Sequence, residues 1–136
     1  MIHVEMSVDI QAPGKIRRFL ERRIEGQLDR TMDRLLEKTE KIQILAYTAD
    51  DKPAKPPGSN YERTFTLRES SETERTGHTL RNMSGRWYAT APYARYVLGS
   101  RAEQANVHRG RWKATETVEE ELTDAAPDII EKELKR

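Results

Sequence analysis

Between Lys15 and Lys41, apolar side chains fall at Ile16, Phe19, Leu20, Ile24, Leu28, Met32, Leu35 and Leu36, and Thr39 and Ile42 continue the series. Steps of three and four draw one stripe along a helix, because about 3.6 residues complete a turn. The other side is charged almost throughout, with Arg17 and Glu21 set one turn apart as an ion pair. A helix this long with one apolar stripe must lie along a second layer that covers the stripe. Gly26 interrupts the pattern and costs roughly 1 kcal/mol against alanine. It reads as a tolerated glycine, with a bend or a close helix contact as the other options.

The rest of the chain supplies candidates for that layer. Residues 2–10 alternate apolar and polar side chains at Ile2, Val4, Met6, Val8 and Ile10, the period of a half-buried strand. Pro13 suits the opening turn of the long helix. Ile42 to Thr48 is a buried run that either continues the helix or forms a strand, and residues 49–60, rich in Pro, Gly and Asp, read as an exposed loop. RTFTLRES predicts a strand or a helical turn around LRES, and SSETERTGHT is polar and turn-like. Residues 78–83 and 85–90 predict two antiparallel strands of a meander, stopped by Ala91-Pro92. Tyr93 to Val97 has the spacing of one helical turn closed by Gly99, and residues 100–110 are irregular. Helical spacing resumes at Gly110 through Trp112, Thr115, Val118 and Leu122. Pro127 is expected to interrupt it, with Asp124 capping a last helical tail over 124–136.

At 136 residues the chain predicts a single domain spanning 1–136, and its 35% hydrophobic content predicts a modest core or a protomer that completes its core at subunit interfaces. With no cysteine, disulfides and thiolate chemistry are excluded and the cytosol is the default compartment. No apolar run approaches the ~20 residues of a membrane span, so no membrane contact is expected. His3, His78 and His108 stand at no metal-binding spacing, and no phosphate-binding glycine loop or nucleophile elbow is present. Glu119, Glu120 and Glu121 point in different directions around a helix, as a solvated face does. An enzyme, a metal, a cofactor and a small-molecule substrate are therefore not expected.

Charge is strongly partitioned. His78 to Lys113 carries seven Lys/Arg against one acid, Glu103, whereas Ala114 to Arg136 carries eight acids against three bases. Such a dipole closes either within one protomer or head-to-tail between copies. The stretch Gly85 to Trp112 interleaves Arg86, Arg95, Arg101, Arg109 and Arg111 with both tryptophans and three tyrosines. One reading is a structural joint fixing sheet to helix: Trp87, Tyr93, Val97 and Trp112 form core, both tryptophans substantially buried, and the arginines face the acidic helix, a neighbouring subunit or a channel. The other is a small basic module contacting nucleic acid through phosphates and stacked bases.

The order Pro57-Gly58-Ser59-Asn60-Tyr61-Glu62-Arg63-Thr64, then Leu67-Arg68-Glu69-Ser70, then Gly85-Arg86 leading to Ala91-Pro92-Tyr93-Ala94-Arg95-Tyr96-Val97 with Gly99, and finally Gln104, His108 and Gly110-Arg111-Trp112 resembles the tail-completion (neck, minor tail component) family of long-tailed phages and prophages. The match spans about Pro57 to Trp112, and its most specific part is APYAxYV followed by QxxxHxGRW. Phe65 stands where the family usually carries glycine. Phenylalanine reaches positive φ only at a cost, so a different local turn or a strand residue is expected there. The resemblance implies an α+β protomer, with a small antiparallel sheet packed against a long N-terminal helix and a C-terminal helix following. It implies a non-enzymatic virion protein of the head–tail junction, formed in the host cytoplasm and assembled as a homo-oligomeric ring, six-fold by analogy. Neck or stopper proteins, tail-tube or tail-terminator proteins and passing, non-specifically contacted DNA would be its partners.

Overall fold

A computed structural model describes residues 1–11, 13–45 and 66–136. The fold is α+β. Strands β1 (Ile2–Met6), β2 (Ser71–Thr79) and β3 (Asn82–Ala89) form an antiparallel sheet of order β1-β3-β2. Helix α1 (Gly14–Glu40) covers one face, and α4 (Thr115–Leu134) packs on α1. Short helices α2 (Thr66–Glu69) and α3 (Ala94–Leu98) fill the corners.

Alternation decides which side of the sheet is buried. Ile2 pairs with Trp87 and Met6 with Met83, so these side chains share the face beneath α1, while His3, opposite Arg86, lies on the solvated face. Ladder pairing of β1 ends at Met6, earlier than the alternation predicts. Beyond it the Val8 N–H donates to the Leu80 carbonyl at 3.0 Å, and Val8 and Ile10 still pack against the core as extended chain.

The second hairpin strand is a correction. SETERTGHT, expected as a turn, is β2, and the expected strand 78–83 contains the hairpin turn at Leu80-Arg81 instead. The apolar signal is missing because β2 is an edge strand whose inward position is taken by Arg75. Its guanidinium reaches Asp29 at 2.5 Å and Asp33 at 2.7 Å on α1, so an ion pair stands where an apolar contact would otherwise be. A register shift between Arg75 and Gly77 breaks the alternation as well.

The helix α1 matches its periodicity from Leu28 onward: Leu28, Thr31, Met32, Leu35, Leu36 and Thr39 are buried. It lies close on β3, where a Cβ added to Gly85 would stand 2.8 Å from Leu36 Cδ1. The expected stripe fails at its start, with Ile16 60% and Phe19 64% exposed. Phe19 precedes Leu28 by about two and a half turns and so projects from the opposite side of the helix. Gly26 makes no close helix contact, since a Cβ added there would meet only the Arg30 guanidinium, at 3.8 Å. Lys41–Leu45 continues the helix as a π turn, which decides the helical option for the start of that run. Around LRES the chain takes the helical option, α2. The 49–60 loop and the turn at Phe65 fall outside the described residues.

Pro127 does not end the last helix: α4 runs unbroken from Thr115 to Leu134, and no separate tail begins at Asp124. Pro127 faces solvent, so the Thr123 carbonyl that loses its N–H partner is open to water. Val118, Leu122 and Glu133 are buried on both sides of it, with Ala126 and Ile129 packed against the core, and that burial holds the two halves in line. The Gln27 side-chain amide donates to the Leu134 carbonyl and the Gln43 amide to the Lys113 carbonyl, so α4 runs antiparallel to α1. Helical spacing expected from Gly110 begins only at Thr115. Gly110, at φ +75°, makes a turn that an L side chain resists.

Candidate functional site

The chain between β3 and α4 folds into a joint held mainly by backbone hydrogen bonds. Ser70 anchors its start: its carbonyl accepts from the Thr90 N–H at 3.0 Å and its hydroxyl from the Ala91 N–H at 3.2 Å. Helix α3 buries Ala94, Val97 and Leu98. The Thr115 N–H donates to the Gly99 carbonyl at 2.9 Å and its hydroxyl to the Leu98 carbonyl at 3.2 Å, which locks the start of α4 to the end of α3.

Gln104 is the centre of this joint. It is 4% exposed, and its side-chain amide donates both to the Val97 carbonyl at 2.8 Å and to the Trp112 carbonyl at 2.9 Å. One side chain thereby fastens APYAxYV to QxxxHxGRW. Reading core from apolar residues passed over it, although its place at the head of the second motif was a signal.

Two of the four core candidates are buried, Trp87 at 2% and Val97 at 6% exposure, and Trp112 is partly buried against the edge of the core. Tyr93 is a correction: it is 38% exposed. It precedes the first helical residue of α3 with φ −93° and ψ 0°, so helical spacing to Val97 does not bring it onto the buried face, and Ala94 takes the inward position.

The five arginines do not form one surface. Arg86 stands on the solvated sheet face, paired with the Glu74 carboxylate, with its guanidinium 4.9 Å from the Tyr88 ring centroid. Tyr88 donates to Glu72 at 2.7 Å, and that hydrogen bond holds its hydroxyl above the ordinary phenol range. Arg95, on α3, covers the exposed Tyr96 ring at 4.7 Å. Arg101, Arg109 and Arg111 do come together, lining an open groove of about 730 Å³ with Trp112, Lys113 and Thr117.

The groove's walls are fixed by local bonds. Arg109 donates to the Gln104 and Arg101 carbonyls, both at 3.3 Å, Lys113 pairs with Glu121 at 2.7 Å, and the Arg101 N–H donates to Glu116 at 2.9 Å. Burial, then the nearby Arg111 charge, holds His108 below the ordinary imidazole range. Hydrogen bonds from Ser100 hold the Glu103 carboxyl below the usual carboxylate range. Among the described residues no cluster of three or more His, Asp or Glu side chains is placed to hold a metal ion, and no helix is long and apolar enough to cross a membrane.

The acidic segment divides between the basic middle, which Glu116 and Glu121 meet at Arg101 and Lys113, and α1. Glu133, on α4 and 3% exposed, stands 3.5 Å from Arg34, 3.7 Å from Arg136 and 3.9 Å from Arg30. Comparison with protein-family models, with curated proteins and with solved structures returns no match.

Proposed function

We propose that this chain is a structural virion protein of the phage head–tail junction, a tail-completion or connector subunit that acts by ring assembly and by contact with neck and tail-tube proteins. The observation that carries the reading is Gln104. The two most specific stretches of the resemblance are the two that its buried amide ties together, so the motif has a physical reason to occur as a unit. A joint built of backbone bonds, with Tyr93 and Tyr96 left outside, suits a protein that presents a rigid surface to others.

Co-expression with the neck and tail-tube proteins encoded beside it, followed by negative-stain imaging, is the direct test, and rings of uniform size are expected. A gene flanked by no capsid, portal or tail genes, in a protein that stays strictly monomeric with such partners, would sink the reading. Charge reversal at Arg86, Arg95 and Arg101 tests the channel role separately: unchanged assembly together with unchanged DNA retention removes DNA contact by those residues.

A second reading, a small nucleic-acid-binding module, is favoured by one arrangement, the groove that collects Arg101, Arg109 and Arg111 around Trp112. Phosphate contact there predicts binding of the isolated protein to DNA that falls steeply with salt. Binding that ignores salt, or none at low salt, rejects it.

A further inference from the structure

The first three turns of α1 project past the end of α4, whose last residue, Leu134, lies against Gln27. On this free part of the helix, Lys15, Ile16, Phe19, Arg22 and Arg23 share one arc of the surface, taking about 100° per residue. The arc holds two large exposed apolar side chains and three cations, and no acid. Arg17, by contrast, sits outside the arc and is paired with Glu21 at 2.8 Å. An exposed apolar and basic face of this kind, on the side of the helix away from the sheet, calls for a partner with an acidic border and some apolar area.

The solvent side of α4 has that character. Glu120, Asp124, Pro127, Glu131 and Leu134 follow one another at steps of three and four along its exposed face, and Leu134 is 46% exposed. Lys135 borders this arc and pairs with Glu131 at 2.5 Å. Among the described residues no ion pair engages Glu120 or Asp124 on one surface, or Lys15, Arg22 or Arg23 on the other. At 1.5 Å per residue the cationic arc from Lys15 to Arg23 is about 12 Å long and the acidic arc from Glu120 to Leu134 about 21 Å, so the first covers only the part of the second from Glu120 to Pro127. They lie on different parts of the molecule, so one protomer offers both halves of a contact that two copies complete.

We infer that the basic, apolar start of α1 docks on the acidic solvent face of α4 in a second copy of the chain. Phe19 and Ile16 lie against Pro127, and Arg22 and Arg23 meet Glu120 and Asp124. The contact is heterologous, so repetition gives a ring where the rotation closes and a filament where it does not. It rests on the self-assembly proposed above and gives that assembly a surface.

Sedimentation velocity on the full chain tests it. The protein should assemble with concentration, less so at high salt. R22E with R23E, and separately E120R with D124R, should each weaken assembly about tenfold or more, because like charges then face each other. All four positions are exposed and outside the core, so near-native thermal stability checks that the variants fold. Mixing the two double variants should restore assembly, since the acidic α1 of one then faces the basic α4 of the other. Phe19→Ala should weaken it by a similar factor without affecting the fold.

Assembly that is equal in all variants places the interface elsewhere and overturns the inference. So does loss in each double variant without recovery on mixing. A protein that stays monomeric up to its solubility limit overturns it too, as does a monomer that binds vesicles of anionic phospholipid through Arg22 and Arg23. Each of these results leaves the head–tail reading standing, because that reading is decided by gene neighbourhood and by rings formed with neck and tail proteins.

Discussion

At the residue scale, Gln104 and His108 carry the joint. Both amide protons of Gln104 are used, and the carbonyls they satisfy belong to Val97 and Trp112, one buried and one at the core edge. Gln104→Ala removes both hydrogen bonds and opens a void, so a loss of about 2 kcal/mol is expected in urea unfolding. Gln104→Glu replaces the donor by an acceptor facing two acceptors and should cost more. An unchanged unfolding midpoint in Gln104→Ala would remove this residue from the centre of the joint. His108 makes its contribution through protons. Its folded-state pKa lies below the ordinary value of 6.5, because burial and Arg111 disfavour the imidazolium. The unfolded chain therefore binds the proton more readily, and stability present above pH 6.5 is lost as pH falls from there through the folded value. Glu103, with a lowered carboxyl, loses its contribution only as pH falls below its ordinary value of 4.5. His108→Gln should accordingly flatten the unfolding midpoint between pH 6.5 and 4.5 while leaving the steeper acid limb, and identical profiles for variant and parent would reject the assignment.

At the element scale, two backbone positions test how the layers fit. Gly85 is buried on β3 under α1, and a methyl group there meets Leu36 Cδ1 at 2.8 Å and Met32 Sδ at 3.3 Å. Leu36 and Met32 are themselves buried, so neither can move aside freely; Gly85→Ala should cost about 1–3 kcal/mol by overpacking. Pro127 is the reverse case. It sits on the solvent face inside a continuous helix, so Pro127→Ala restores a backbone bond without disturbing the core, and a gain of up to about 3 kcal/mol is expected by chemical denaturation. A loss of stability would mean that the proline is needed where it is. These elements also show what the sequence makes legible. The stripe Leu28 to Thr39 was plain because packing on the sheet repeats with the helical turn. Phe19 and Ile16 are misplaced by counting single steps, because repeated steps of four drift about 40° each and carry the start of the series off the face that Leu28 begins. The edge strand β2 escaped because Arg75 bonded to two aspartates reads as surface until α1 is placed beside it. Pro127 misled because the rule against proline assumes a buried or needed carbonyl.

At the scale of the whole molecule, the partition of charge was legible and its closure was not. A basic middle and an acidic end suggest a mutual contact, and the acids divide: Glu116 and Glu121 bond the basic stretch, while Glu133 turns to Arg30 and Arg34 of α1. The interleaved arginines likewise looked like one patch in sequence, whereas strand alternation sends Arg86 to the sheet face and α3 carries Arg95 away from the groove. Contacts between elements far apart in the chain decide both outcomes, and no local pattern encodes them. The Glu133 cluster gives the sharpest global test. The carboxylate is 3% exposed, but Arg30 and Arg34 keep about half of their side-chain surface in water, at 51% and 48%. The desolvation cost thus falls on the acid alone. Glu133→Met removes the buried charge, keeps the volume and leaves three guanidiniums, those of Arg30, Arg34 and Arg136, that water already serves, so its urea midpoint should stay close to that of the parent. Arg30→Ala with Arg34→Ala strips the charges that face Glu133 from α1 and should lower the midpoint clearly more, with faster hydrogen exchange over the last turns of α4. The opposite ranking, with Glu133→Met the more damaged protein, would show that the ion cluster rather than the apolar stripe of Val118, Leu122 and Ile129 holds α4 against the rest of the fold.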